Sequence, residues 1–264
     1  MPNLFHTAMS YSAGRPREAV YPATNGYIRE IWMAPGPHPN DYPFCLPAVT
    51  YLAQNGSLSL AGGVTFLVGE NGSGKSTLLE AIAVASGMNP EGGSQNYRFS
   101  TRSSESPLGE HLRIKWGTSK PRSQFFLRAE TYYNVATETE RLGPDQVAAL
   151  GGVSPHQRSH GESFIDLMVH RFRPNGLYLL DEPEAALSPQ GCMAVLRRLA
   201  ELVEQRCQIV MATHSPILLA LPGASIYEIA EDGTTSIVSY DDALPVRLTR
   251  DFLSDPDRYL RHLI

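Results

Sequence analysis

Three cysteines in 264 residues, at positions 45, 192 and 207 and without Cys-x-x-Cys spacing, are too few and too scattered for a disulfide framework or a cysteine-built zinc site. A reducing compartment fits, and the expected location is the cytoplasm. No apolar run approaches the roughly 18 residues needed to cross a bilayer. The first twenty residues also lack the charged start and apolar core of an export signal, so no segment is expected to enter a membrane. Internal repeats and low-complexity tracts are absent as well. Acids outnumber bases, 27 Asp and Glu against 22 Lys and Arg, which argues against a surface built throughout for nucleic acid. The one basic stretch runs from 94 to 128, where Arg98, Arg102, Arg113, Lys115, Lys120, Arg122 and Arg128 face only Glu105 and Glu110.

Strand and helix patterns alternate along most of the chain. "YIREIWM" (27–33) and "GVTFLVG" (63–69) read as strands, the first at the edge of a sheet. "TLLEAIAVASG" (77–87) has helical spacing and stops at a glycine. Between 92 and 130 the pattern becomes two-residue alternation, clearest in "HLRIKWG", and predicts an antiparallel lobe with one basic face. The remainder predicts a helix (160–172), a strand (177–181), a helix (189–206), a strand (208–212), a helix (216–221) and a hairpin turning at Asp232-Gly233. A last short helix, capped by Asp255 with Pro256 behind it, is expected to dock on the domain. The sum is an α/β fold with a mainly parallel sheet plus an antiparallel β lobe. It forms a single domain over 1–264, with 92–158 as an inserted lobe and 222–264 as a C-terminal hairpin and helix.

"GENGSGKST" (69–77) matches G-x-x-x-x-G-K-[ST] and stands between a strand and a helix, where the phosphate-binding mechanism needs it. Glycines let the backbone curl so that successive N–H groups face the phosphates, and the positive helix end adds to that field. Asn71, Gly72, Ser73, Gly74, Lys75, Ser76 and Thr77 are the candidate ATP-binding residues. Lys75 would bridge the β- and γ-phosphates, and the Ser76 hydroxyl would ligate Mg²⁺.

The apolar strand "LYLLDEPEAALSP" (177–189) ends in Asp181-Glu182, two carboxylates that are costly at a buried strand end without a cation or a reaction to serve. Asp181 suits Mg²⁺, and Glu182 suits the polarisation of an attacking water. The blander alternative makes both acids solvated loop residues and Glu184 a third surface charge. Ser188-Pro189 is in any case a good start for the next helix. Upstream, "RSHGES" (158–163) contains the capping box Ser159-x-x-Glu162, followed by the apolar stripe Phe164, Leu167, Met168 and Phe172. A capped helix N-terminus carrying glycine and serine is also a γ-phosphate ligand, so the structural and functional readings share one geometry.

Taken together, "GENGSGKS", "SHGES", "LLDEPEAAL" and "THSP" (213–216) resemble the ATPase heads of the ABC class. Within it they are similar to the soluble branch that includes the chromosome-maintenance and double-strand-break-repair ATPases and many AAA family ATPases. The resemblance spans about residues 27–230. It implies an Mg²⁺-dependent ATPase working as an ATP-dependent head-to-tail homodimer, in which Ser159 and the Gly161 backbone of one subunit complete the P-loop site of the other. Asp181 and Glu182 correspond to the metal-binding acid and the catalytic base, and Ala185–Ser188 to the dimer-contacting turn. His214 corresponds to the γ-phosphate-sensing histidine. The catalytic set is thus Glu182, His214 and Lys75, and the metal set Ser76, Asp181 and Glu130.

Two departures accompany the resemblance. His160 stands where the family signature has glycine, and the glutamine-loop position falls on Gln124 or Glu130, with Glu130 preferred as the residue at the strand's end. Tyr42 and Phe44 are the candidates for stacking on adenine. The partner acted on is an unnamed macromolecule, with nucleic acid one option through the 94–128 lobe. The alternatives are the ATP-binding subunit of an ABC membrane transporter, or a nucleotide switch with little turnover. The short interval 131–158, the glutamate in the signature and the "THSP" ending favour the soluble reading over the transporter.

Overall fold

The computed structural model describes residues 26–34, 40–90, 92, 107–129 and 160–264. Glu130 and Ser159, and most of the interval 92–158, lie outside the described residues.

Among the described residues, nine strands form two sheets. The larger is built on β3 (Val64–Gly69), β6 (Gly176–Asp181) and β7 (Gln208–Ala212), every residue of which is buried. Such unbroken burial is what strands covered on both faces require, and it explains their near-continuous apolar runs. The strand order is β5-β6-β7-β3-β8-β9, with β5 at Ser123–Arg128, β8 at Ser225–Ile229 and β9 at Thr235–Val238. All neighbours are parallel except the β8–β9 hairpin. The smaller sheet is antiparallel, β2-β1-β4, from Leu58–Ser59, Ile28–Met33 and Leu112–Trp116.

Strand alternation assigns the core residues to two layers. Val64, Phe66, Val68, Tyr178, Leu180, Ile209 and Met211 face one side. There they meet α4 (His160–Arg171), α5 (Pro189–Glu204), α6 (Pro216–Leu219) and α7 (Leu244–Ser254). Leu67, Leu177, Leu179, Val210 and Ala212 face the other, toward α1 (Pro47–Asn55), α2 (Lys75–Ala85), the one-turn α3 (Leu108–His111) and the small sheet. The predicted stripe Phe164, Leu167, Met168 and Phe172 is fully inside the first layer. Phe172 stacks face to face on Tyr178 at 4.0 Å, and burial pushes the Tyr178 phenol up to about 12.

Several expectations change. β1 is the middle strand of its sheet, because both neighbours pair with it. Within the 92–130 interval, the described residues 107–129 are shared between the two sheets: β4 joins β1, while β5, with Phe125, Phe126 and Leu127 buried, becomes the parallel edge strand of the main sheet. The last helix, α8 (Pro256–Leu263), is capped as expected, Asp255 accepting from the Arg258 N–H at 3.2 Å. It has no buried residue and rests on α7 through the edge contact of Phe252 and Tyr259, so it is not docked on the core. No helix among the described residues is long and apolar enough to cross a membrane.

The fully buried Gln208 joins the two sheets. Its Oε1 accepts from Ile28 N at 2.8 Å, and its Nε2 donates to Ile28 O at 2.7 Å and Ala61 O at 2.8 Å. Replacing it with an apolar side chain strands three backbone groups. Gln208→Leu is expected to destabilise the protein by about 2–4 kcal/mol, read from the urea midpoint at unchanged slope.

Candidate functional site

Strand register fixes the site. Leu67 of β3 and Asp181 of β6 both pair with Ala212 of β7, so the carboxyl ends of the three central strands lie abreast. The residues just beyond them therefore converge.

Beyond β3, the loop turns through Gly69 at φ 154° and Gly74 at φ 92°, conformations that side chains rarely adopt. A Cβ on Gly69 would sit 2.6 Å from Ile229 O, and one on Gly74 would sit 3.0 Å from the Leu46 side chain. Ser73 O accepts from Ala48 N at 2.9 Å, so the start of α1 braces the loop from behind. Lys75, buried at the first position of α2, donates to Gly69 O at 2.8 Å and Glu70 O at 3.0 Å, with Ser73 Oγ at 3.4 Å. Burial pushes the Lys75 pKa below 10.5, opposed by the charges of Glu182, Asp181, Glu70 and Glu184. Here an ammonium sits on carbonyl dipoles with no carboxylate among the described residues in contact, beside a loop that admits no side chain at Gly69. A phosphate group fits both features.

The Ser76 hydroxyl donates to Asp181 Oδ1 at 2.8 Å. The other oxygen of Asp181 lies 3.3 Å from Arg128 Nε, and Arg128 reaches on to Glu80 at 3.0 Å. Oxygen donors from a hydroxyl and a carboxylate suit Mg²⁺, which takes few protein ligands and completes its shell with phosphate and water. Among the described residues no cluster of three or more His, Cys, Asp and Glu stands ready to hold a metal alone.

Glu182 follows in the left-handed region at φ 48°, its N–H bound to Ala212 O at 3.0 Å. That turn swings its carboxylate off the strand axis. His214 Nε2 lies 3.6 Å from Glu182 Oε1, with no hydrogen-bond partner among the described residues. Pro183–Ala186 forms a 3₁₀ turn, and the next helix starts as predicted, with Ser188 Oγ accepting from Gly191 N at 3.1 Å. A Cβ on Gly161, in the first turn of α4, would come 3.1 Å from Ala186 O, so Gly161 lies against this turn.

The structure thus brings together Lys75, Ser76, Asp181, Glu182 and His214. Gln124 lies at the amino end of β5, paired with Leu177 and donating to Ser86 O at 3.3 Å, far along the sheet from Asp181. Arg128, at the opposite end of β5, pairs with Asp181. Of the adenine candidates, Tyr42 is exposed, and Phe44 is half-buried with its ring against the edge of His111. Of the basic stretch, Arg98 and Arg102 lie outside the described residues, and Arg113 and Lys115 are exposed on β4. Arg113 binds Glu110 O, Lys115 pairs with Glu30, and Arg128 turns inward to Asp181. Sequence reasoning missed Arg128 as a site residue, counting it only among surface cations. It also missed Glu184, whose inward turn depends on a partner on another strand.

Strand order, phosphate loop, acidic strand end and the histidine after the neighbouring strand are the arrangement of a P-loop ATPase fold. Two family profiles match consecutive parts of the chain: one described as "AAA domain" over residues 49–142, the other as "AAA domain, putative AbiEii toxin, Type IV TA system" over 149–220. Together they take in the phosphate loop, the signature segment, the acidic strand end and His214. Among solved structures, the SMC head domain from Thermotoga maritima is similar at 18% identity, covering 69% of this chain and 92% of that one, with a TM-score of 0.39. An ATP-binding subunit of an ABC transporter is similar at 19% identity, covering 81% and 91%, with a TM-score of 0.44. The comparison with curated proteins gives no match.

The environment of Lys75 makes nucleotide binding pH-dependent. A bound phosphate supplies the missing counter-charge and raises the lysine's depressed pKa, so binding takes up a proton wherever free Lys75 is partly neutral. ATP affinity is therefore expected to fall as pH rises through that lowered pKa. Lys75→Met should remove the dependence, weaken ATP by about 10–100-fold and keep the fold, as titration calorimetry in buffers of different ionisation enthalpy would show.

Proposed function

We propose that the protein hydrolyses ATP to ADP and phosphate at composite sites in an ATP-dependent head-to-tail dimer, using the conformational change to act on a macromolecular partner. The observation that carries this reading is the meeting of Lys75, the Ser76–Asp181 pair, Glu182 and His214 at the ends of three adjacent strands.

Lys75 and the loop N–H groups hold the phosphates, and the helix end of α2 adds to their field. Ser76 and Asp181, with Glu130 as a further candidate ligand, would hold Mg²⁺, which when bound supplies charge neutralisation at the phosphate oxygens. Glu182 orients the attacking water and accepts its proton. His214, whose Nε2 lies 3.6 Å from Glu182 Oε1, would sense the γ-phosphate beside the catalytic base. Gly161, in the N-terminal turn of α4, lies against the 3₁₀ turn, and Ser159 with the Gly161 backbone is the segment that would meet a second subunit's phosphates. Two shared ATP molecules would favour the closed dimer, and hydrolysis would remove that bias.

Glu182→Gln is expected to bind ATP while kcat falls about 10²–10⁴-fold. In Mg-ATP its mass by light scattering should double, and in ADP it should not. Ser159→Arg in the same background should stay monomeric while still binding ATP. A Glu182→Gln protein that binds ATP at constant mass would remove the composite site from the reading.

For the partner, a nucleic-acid contact is supported by Lys120, Arg122 and Arg206, which have no ion pair among the described residues. With Ser119 and Asn175 they line a cavity of about 300 Å³ at the amino ends of the central strands. If these cations meet a phosphodiester backbone, the slope of log affinity against log salt should shrink by about 0.7–0.9 per cation removed in Lys120→Gln and Arg122→Gln. An unchanged slope in fluorescence anisotropy would exclude this surface.

A further inference from the structure

The acid two residues beyond the catalytic base does not point into solvent. Oε1 of Glu184 accepts from Thr213 Oγ1 at 2.8 Å and from the backbone N–H of His214. Thr213 Oγ1 in turn accepts from Ser215 N at 3.0 Å, so the run 213–215 hangs on one carboxylate oxygen. The second oxygen, Oε2, is buried and has no hydrogen-bond partner among the described residues. A buried carboxylate oxygen left unpaired is costly, which argues against Glu184 as a device for stability.

Its position explains why such a group is kept. Glu184 is the middle of a turn whose first neighbour is Glu182, held at a left-handed φ, and whose last residue, Ala186, has its carbonyl against Gly161. The His214 side chain is half-buried, and its Nε2 makes no hydrogen bond within the described residues, so no side-chain bond at that nitrogen fixes the imidazole. The backbone anchor comes through Glu184, and a carboxylate accepting from an N–H and a hydroxyl is a strong, directional one. We propose that Glu184 is a positioning residue for ATP hydrolysis, fastening His214 to the turn that carries the catalytic base and lies against Gly161. Closure of a second subunit on that turn then moves the base and the histidine together. The proposal rests on the ATPase reading above.

The test is a double-mutant cycle. Glu184→Ala should lower kcat about 10–100-fold and leave the ATP dissociation constant within about twofold. His214→Ala should show a loss of similar size, and the double variant should be no slower than His214→Ala alone. Glu184→Gln, whose amide carbonyl still accepts, should lose less. In the nucleotide-free protein, the His214 amide proton should move upfield in Glu184→Ala and less so in Glu184→Gln. If Glu184→Ala does not fold, Glu184→Gln and Thr213→Val carry the same cycle with smaller expected losses. Additive losses, a change in KM alone, or an unmoved His214 amide would overturn the proposal while the ATPase reading stands. A wild-type protein that binds no ATP would overturn both.

Discussion

Everything in the site depends on the register of three buried parallel strands. With Leu67, Ala212 and Asp181 abreast, two backbone bonds extend the alignment past the regular ladder: Glu182 N to Ala212 O, and Thr213 N to Leu67 O at 3.2 Å. Each loop therefore leaves its strand already tied to the neighbouring one. A one-residue slip would carry each side chain of β6 or β7 into the opposite core layer, where the close packing is shaped for its neighbour. The hydrophobic core thereby enforces the position of groups it does not contain, and rigid strands deliver chemistry to loops.

That placement collects charge where water is scarce. Lys75 and Arg128 meet Asp181, Glu80, Glu182, Glu70 and Glu184 within one end of the sheet. The arrangement is divided rather than averaged. Arg128 lies between Glu80 and Asp181, two acids of the central sheet and α2, whereas Lys75 is left on carbonyl oxygens. A cation held in this way is preorganised for an anion, since no carboxylate must be displaced before the anion arrives. Ser76 and Asp181 show the converse, an oxygen pair already aligned, so that a metal would find its protein ligands without rearrangement.

The parts of this that a linear reading catches are those whose signal is local. The phosphate loop is legible because its glycines, its lysine and the flanking strand and helix are contiguous. The apolar run 177–181 ending in two acids, and the stripe from Phe164 to Phe172, are legible for the same reason. What escapes is set by partners distant in sequence. Ile28 to Met33 reads as an edge strand until Leu58 and Leu112 pair on either side of it. Arg128 is one cation among seven until β5 lies beside β6. The apolar run Phe125-Phe126-Leu127 does carry a signal that was open to reading, since unbroken burial suits a parallel strand better than an antiparallel lobe. Glu184 has no local signature at all, because its partners Thr213 and His214 are supplied by another strand.

The strand that supplies them has a polar anchor at each end. Gln208 opens β7 by binding Ile28 and Ala61, which ties the antiparallel sheet to it, and residues 213 and 214 close it on Glu184. Between these anchors lie Ile209, Val210, Met211 and Ala212, all fully buried and paired on both sides. A strand so enclosed cannot bend to absorb a displacement, because close packing leaves no space for it. A shift of the small sheet relative to the main one must therefore either break the Gln208 bonds or be carried to the residues beside Glu182. The second path keeps the three Gln208 bonds intact. The small sheet and the His214 segment are thus tied to opposite ends of one buried strand.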